Sequence, residues 1–159
     1  KKELMDDFIC ELFEKTDKEK FISAFSQLTF SNQQKNHPEI KHNARKECKH
    51  VLQEYELYLA KVDDYILTKF SIEHILPDST KDVSVCYIGN LIPLVKRINK
   101  NLGNAQVGDK INKYTETNFS SVQEFVKIYN KTKSWNTQEI KKRTKDLANV
   151  FWKYIWIKK

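Results

Sequence analysis

The stretch that decides the fold runs Ser71-Ile-Glu-His-Ile-Leu-Pro77, continues with Ile88-Gly-Asn-Leu91 and ends with Arg97-Ile-Asn-Lys-Asn101. The first piece is a short apolar run that stops at a proline, as strands often do. The second piece opens another apolar run, and the third begins a basic segment with helical spacing. The sequence therefore predicts a β element at about 69–75, a loop at 77–85, a second strand near 87–95 and then a helix.

The rest of the chain has the apolar spacing of helices. One such segment runs from Leu4 to Phe13, and a second opens with a capping box at Thr16–Glu19. Pro38 is predicted to begin a long helix, because proline is favoured in the first helical turn. Later helices are expected at about 95–101, 109–116, 121–130 and 137–157. The predicted class is mainly α with a small β-hairpin.

Composition indicates an ordinary globular protein of one domain's length. The chain has 159 residues, of which 40% are hydrophobic and 12% aromatic. Cys10, Cys48 and Cys86 stand alone along the chain, which favours a reducing compartment and, without Cys-x2-Cys pairs, argues against structural zinc. No signal peptide or membrane-spanning run is present, so a cytoplasmic location is expected.

The positive charge lies in the half of the chain that holds the quoted stretch. The net charge is +7, and residues 71–159 carry 16 Lys and Arg against 8 Asp and Glu. Such an excess suits a protein that binds phosphate, although lysines are also common on solvated surfaces. Because the chain has few arginines, it has few side chains that could make bidentate hydrogen bonds to guanine, and sequence-specific recognition is not expected.

Four residues of the quoted stretch have the types needed to hydrolyse a phosphodiester. A histidine can accept a proton from water near neutral pH, and a hard cation binds carboxylate and amide oxygens. The order Glu73-His74, Asn90 and Asn99 resembles the active site of HNH nucleases, the His-Me or ββα-metal finger. The resemblance implies that His74 is the general base, Asn90 a structural asparagine, and Glu73 with Asn99 the ligands of Mg²⁺ or Mn²⁺.

A narrower resemblance rests on the run EHILP, IGNLIPL and INKNLGN and on the closing pattern W-x4-I-x2-R-x3-L, which begins at Trp135. From about residue 70 onward the chain resembles the C-terminal HNH-type domain of the GmrSD family of modification-dependent restriction endonucleases. Residues 1–68 would then be a helical adaptor arm. Residues 69–159 would form the nuclease domain, with a ββα-metal core at about 69–115 and helices at 121–157. The residues assigned to phosphate contact are Lys110, Lys96, Arg97 and Lys100, and Asn104 is a further candidate.

The same resemblance implies partners. It predicts DNA, modified or not, as the substrate, and a ParB-like nucleotide-hydrolysing module as an N-terminal domain or separate subunit. One site per chain predicts nicking, with double-strand cuts through a homodimer or two events. Two alternatives stay open: a catalytically silent module that binds DNA or an effector, and an RNA-cutting toxin. Asp78 and Asp82 follow the motif and could approach the metal, but acids in loops are generally exposed to solvent.

Overall fold

The computed structural model describes residues 17–61 and 69–156, and within them it is mainly helical with one small sheet, as predicted. The helix expected between Leu4 and Phe13 lies outside these residues. The six helices of the described part are α1 (Lys18–Phe25), α2 (Arg45–Ala60), α3 (Lys96–Leu102), α4 (Val107–Tyr114), α5 (Ser120–Thr132) and α6 (Thr137–Val150). A π-helical turn, Phe151–Ile155, continues α6.

Two antiparallel strands form the sheet. β1 (Phe70–His74) pairs with β2 (Leu91–Val95), and His74 lies opposite Leu91. The second strand starts later than predicted because Ile88–Asn90 forms a 3-10 turn, closed by a bond of 2.8 Å from Asn90 N to Tyr87 O. The sheet packs against α2 and α5, and α3 follows β2 directly. The end of β1 and the start of β2 therefore lie next to the buried turn Ile88–Asn90.

Helix α2 begins at Arg45, so the prediction that Pro38 starts it is wrong. The residues before Arg45 are held by bonds that a helix would not allow. The Asn43 side chain accepts from the backbone N–H of Ser31 at 3.1 Å and donates to its carbonyl at 2.9 Å. Ala44 N also donates to Thr29 O at 2.8 Å. These contacts hold the segment against residues 29–31. Helix α1 is capped by Asp17, whose side chain accepts from Lys20 N. The predicted capping box begins at Thr16, which lies outside the described residues.

The helices before the hairpin share a hydrophobic core with those after it. Buried residues of α2, such as Leu52, belong to the same cluster as Phe125 of α5 and Phe151 beyond α6. The Glu56 carboxylate of α2 accepts from the backbone N–H groups of Ser120 and Ser121, at 2.6 and 2.8 Å. A negative charge at a helix start is stabilising, so Glu56 ties α2 to α5. The predicted domain boundary, between residues 68 and 69, directly follows residues 62–68, which lie outside the described residues.

Among the described residues, no helix combines the length and the apolar character needed to cross a lipid bilayer.

Candidate active site

His74, the last residue of β1, is buried with 5% of its surface exposed. Its ring stacks on Phe30, with ring centroids 5.5 Å apart, and its Nε2 lies 2.9 Å from the Phe30 carbonyl oxygen. A carbonyl oxygen only accepts, so Nε2 carries the hydrogen and Nδ1 is the unprotonated nitrogen of the neutral ring. Burial lowers the pKa of His74, and the nearby Asp78 partly opposes that shift. His74 is thus held as a neutral base with a defined tautomer.

Asp78 is buried, contrary to the expectation for a loop acid. One carboxylate oxygen accepts from Ser31 Oγ at 2.7 Å and lies 3.8 Å from His74 Nε2. The other oxygen accepts from the backbone N–H groups of Asn32 and Gln33, at 2.7 and 3.2 Å. Asp78 therefore fixes the loop that carries Phe30 over the His74 ring. Asp82, in contrast, is exposed and caps the 3-10 turn Val83–Cys86.

Asn90 holds the chain that follows His74. Its side-chain oxygen accepts from Leu76 N at 2.9 Å and from Trp135 Nε1 at 3.0 Å. Its side-chain nitrogen donates to Leu76 O at 3.0 Å and to Val85 O at 2.7 Å. Asn90 is fully buried, and its backbone oxygen also accepts from Ile75 N at 2.9 Å. This one amide therefore sets the path of the residues that follow His74.

The closing pattern of the chain contacts this same turn. Trp135 bonds Asn90, and Arg143 donates to the carbonyls of Gly89 and Leu91 at 2.7 and 3.0 Å. Thr144 Oγ1 accepts from Gly89 N at 3.1 Å. Residue 89 must be glycine, because a Cβ there would overlap Ile140 O and Thr144 Oγ1. The distant C-terminal signature therefore positions the turn that braces His74.

Glu73 is held from α4 by two donors. Lys110 Nζ lies 2.7 Å from Glu73 Oε1, and the Tyr114 hydroxyl donates to the same oxygen at 2.9 Å. Lys110 also donates to the carbonyls of His74 and Ile75, at 2.8 and 3.2 Å, so its three N–H groups are all used. Lys110 is 1% exposed. In this arrangement Lys110 positions the end of β1 and does not offer an ammonium to a phosphate.

Asn99, on α3, lies beside the middle of β1. Its amide nitrogen donates to Ser71 Oγ at 2.9 Å and to the Ile72 carbonyl at 3.0 Å. Because that carbonyl only accepts, the orientation of the amide is determined, and the Asn99 side-chain oxygen is left for another partner. Within the described residues, neither this oxygen nor Glu73 Oε2 has a hydrogen-bond partner. A carboxylate oxygen and an amide oxygen are ligand types that hard divalent cations prefer.

Asn99 lines a basic groove of about 210 Å³. Phe30 lines it, so the groove reaches the residue that covers His74. Its other lining residues are Asn32, Arg45, Ser71, Ile72, Lys96 and Lys100. Arg97 and Asn104 are exposed but are not part of this lining. Lys96 and Lys100 were expected from the sequence to contact phosphate, whereas Arg45 and Phe30 were not found by sequence reasoning. Asp78 was named as a residue that could approach the metal, but its burial was not expected. The only local signal for Asp78 was its place directly after Leu76-Pro77.

A comparison with protein families gives a match over residues 15–150 to the C-terminal domain of GmrSD restriction endonucleases. The match covers most of the chain and begins well before residue 70, so the resemblance extends further toward the N-terminus than the quoted motifs indicated. No curated protein and no solved structure matches the chain. The chain belongs to the family of C-terminal domains of GmrSD restriction endonucleases.

Proposed function

We propose that this chain is a metal-dependent DNA endonuclease domain of the HNH type, acting in restriction or anti-phage defence. The observation that carries the proposal is the neutral, buried His74, whose Nε2–H is held by Phe30 O at 2.9 Å. Its Nδ1 would accept the proton of the attacking water. Asn90 would keep the following loop in place during the reaction, as its four side-chain bonds do here.

A divalent cation bound by Asn99 and Glu73 would polarise the scissile phosphate and stabilise the leaving oxygen. Asn99 is oriented for this role, because its side-chain nitrogen donates to Ser71 and Ile72 and its side-chain oxygen is left to bind a ligand. Glu73 would use Oε2, since Lys110 and Tyr114 occupy Oε1. Hydrolysis in this arrangement would leave 5′-phosphate and 3′-hydroxyl ends.

The groove beside Asn99 would bind the nucleic-acid backbone. Arg45, Lys96 and Lys100 line it, and the adjacent Arg97 is exposed. Cations of this kind contact phosphates without reading the bases, and much of the affinity comes from released counterions. Recognition of a DNA modification would then fall to a partner module, for which the family suggests a ParB-like nucleotide-hydrolysing domain.

One observation favours a second function. His74 is 5% exposed and lies under Phe30, which would suit a silent module that binds DNA without cutting it. The two functions are separated by incubating supercoiled plasmid with the protein in Mg²⁺, in Mn²⁺ and in EDTA. The nuclease predicts open-circular plasmid in either metal and none in EDTA. Binding that falls steeply with salt, with no nicking in any metal, would instead support the silent module. A single-stranded RNA substrate run in parallel tests for an RNA-cutting toxin.

A further inference from the structure

Three segments of the chain bring metal-binding side chains together beneath the loop that covers His74. A ring nitrogen of His37, a carboxylate oxygen of Asp78 and the Cys86 sulfur all lie within 4.8 Å of one another. Each of the three residues is buried, with 0%, 7% and 0% of its surface exposed. Among the described residues, these three are the His, Cys and acidic side chains that lie close enough to share one metal ion.

His37 has the bonding pattern of a histidine that ligates a metal. Its Nε2 lies 2.9 Å from the Asp78 backbone carbonyl, which can only accept, so Nε2 carries the hydrogen. Its Nδ1 then has a lone pair, yet that atom is buried and has no hydrogen-bond partner among the described residues. Ligating histidines commonly donate their other N–H to a carbonyl or carboxylate in this way. A buried nitrogen lone pair without a partner costs free energy that a bound ion would recover.

The donor types indicate which ion fits. Thiolate and imidazole ligands suit zinc and related transition metals, whereas Mg²⁺ and Ca²⁺ prefer oxygen ligands alone. Asp78 retains capacity for a cation, because its Oδ1 accepts a single bond, from Ser31 Oγ, besides the contacts with the two histidines.

We propose that His37, Asp78 and Cys86 form a zinc-type transition-metal site, separate from the oxygen ligands Asn99 and Glu73. The ion would join the 3-10 turn before His37 to the loop after β1 and to the 3-10 turn that ends at Cys86. It would thereby fix the loop that places Phe30 on His74. The site differs from a zinc ribbon in that its ligands come from three separate segments and include one cysteine, which is why cysteine spacing did not reveal it.

The test measures the metal content and the cobalt spectra of the 159-residue chain. Purified protein should carry zinc at one ion per chain, and after chelation Co²⁺ should produce a sulfur-to-cobalt charge-transfer band. His37→Gln and Cys86→Ser should each lose the zinc, and Cys86→Ser should lose the charge-transfer band. Cys48→Ser is the matched control, because Cys48 is equally buried and lies outside the group. Asn99→Ala should keep its zinc.

The wild-type measurement stands even if a variant fails to fold. Wild-type protein that carries no zinc, and shows no charge-transfer band with Co²⁺, would overturn the proposal. A loss of zinc in folded Cys48→Ser as large as in Cys86→Ser would also overturn it. Zinc content does not depend on phosphodiester hydrolysis, so an inactive protein that holds zinc would refute the proposed nuclease and leave the zinc site standing.

Discussion

Replacing Asn90 by aspartate keeps the shape of the side chain and removes its two N–H donors. In the wild type those donors bond Leu76 O at 3.0 Å and Val85 O at 2.7 Å, and Asn90 is fully buried. An ionised carboxylate would place an oxygen against two carbonyl oxygens. Two lost bonds at about 1 kcal/mol each, plus the cost of unpaired buried acceptors, predict a loss of about 3 kcal/mol in the free energy of unfolding at pH 8.

The loss should shrink at lower pH. Burial and the facing carbonyls raise the pKa of the introduced carboxyl in the folded protein above its unfolded value of about 3.9. Folding of the variant therefore takes up a proton between those two pKa values, and stability falls as pH rises through that window. Below it, a protonated carboxyl can donate one of the two lost bonds. At pH 5 we expect about 1 kcal/mol less destabilisation than at pH 8.

Urea unfolding followed by tryptophan fluorescence at pH 5 and pH 8 measures both effects. Asn104→Asp is the control, since Asn104 is exposed, and it should change stability by less than about 0.5 kcal/mol. A destabilisation of Asn90→Asp below about 1 kcal/mol at both pH values would refute the reasoning, because it would mean that the amide is not the brace its bonds describe.

Three further predictions follow from the same contacts. Gly89→Ala should destabilise the protein by at least about 3 kcal/mol in thermal melts, because the added Cβ overlaps α6. Gly108→Ala should be neutral or stabilising by about 0.5–1 kcal/mol, because the atom nearest to its added Cβ is 3.6 Å away. Equal effects at the two glycines would contradict this. Lys110→Met should lower the free energy of unfolding in urea by about 3–5 kcal/mol, because the buried Glu73 carboxylate would lose its counter-ion. An unchanged urea midpoint would contradict a stabilising role for the Lys110–Glu73 ion pair. Lys100→Ala should lower the slope of log Kd for DNA against log salt concentration by about one. A slope equal to that of the wild type would mean that Lys100 does not contact a phosphate.

The sequence predicted the elements whose signals are local. The strands around Glu73 and Asn90 and the helices after them followed from apolar spacing and from the turn residues between them. The start of α2 was predicted too early because the bonds of Asn43 to Ser31 join segments that have no shared periodicity. Local propensity at Pro38 could not reveal that competing contact.

The candidate site was predictable in its residue types but not in its partners. The order of Glu73, His74, Asn90 and Asn99 led to the proposed chemistry, which stays a prediction. The cover over His74 comes from residues about forty positions earlier, and it is held by Asp78, which sequence spacing treats as an ordinary loop acid. Lys110 matched a phosphate-contact position, yet its burial against Glu73 depends on how α4 packs beside β1. Such long-range contacts leave no periodic signal in one sequence.

The most direct test of the central claim compares His74→Ala with His42→Ala in the plasmid-nicking assay in Mg²⁺ and Mn²⁺. His42 is exposed and lies outside the proposed site, so it controls for loss of a histidine. The account predicts nicking by the wild type and by His42→Ala, and a loss of at least about 100-fold in His74→Ala, the typical share of a general base. Nicking by a folded His74→Ala protein at the wild-type rate would contradict the account.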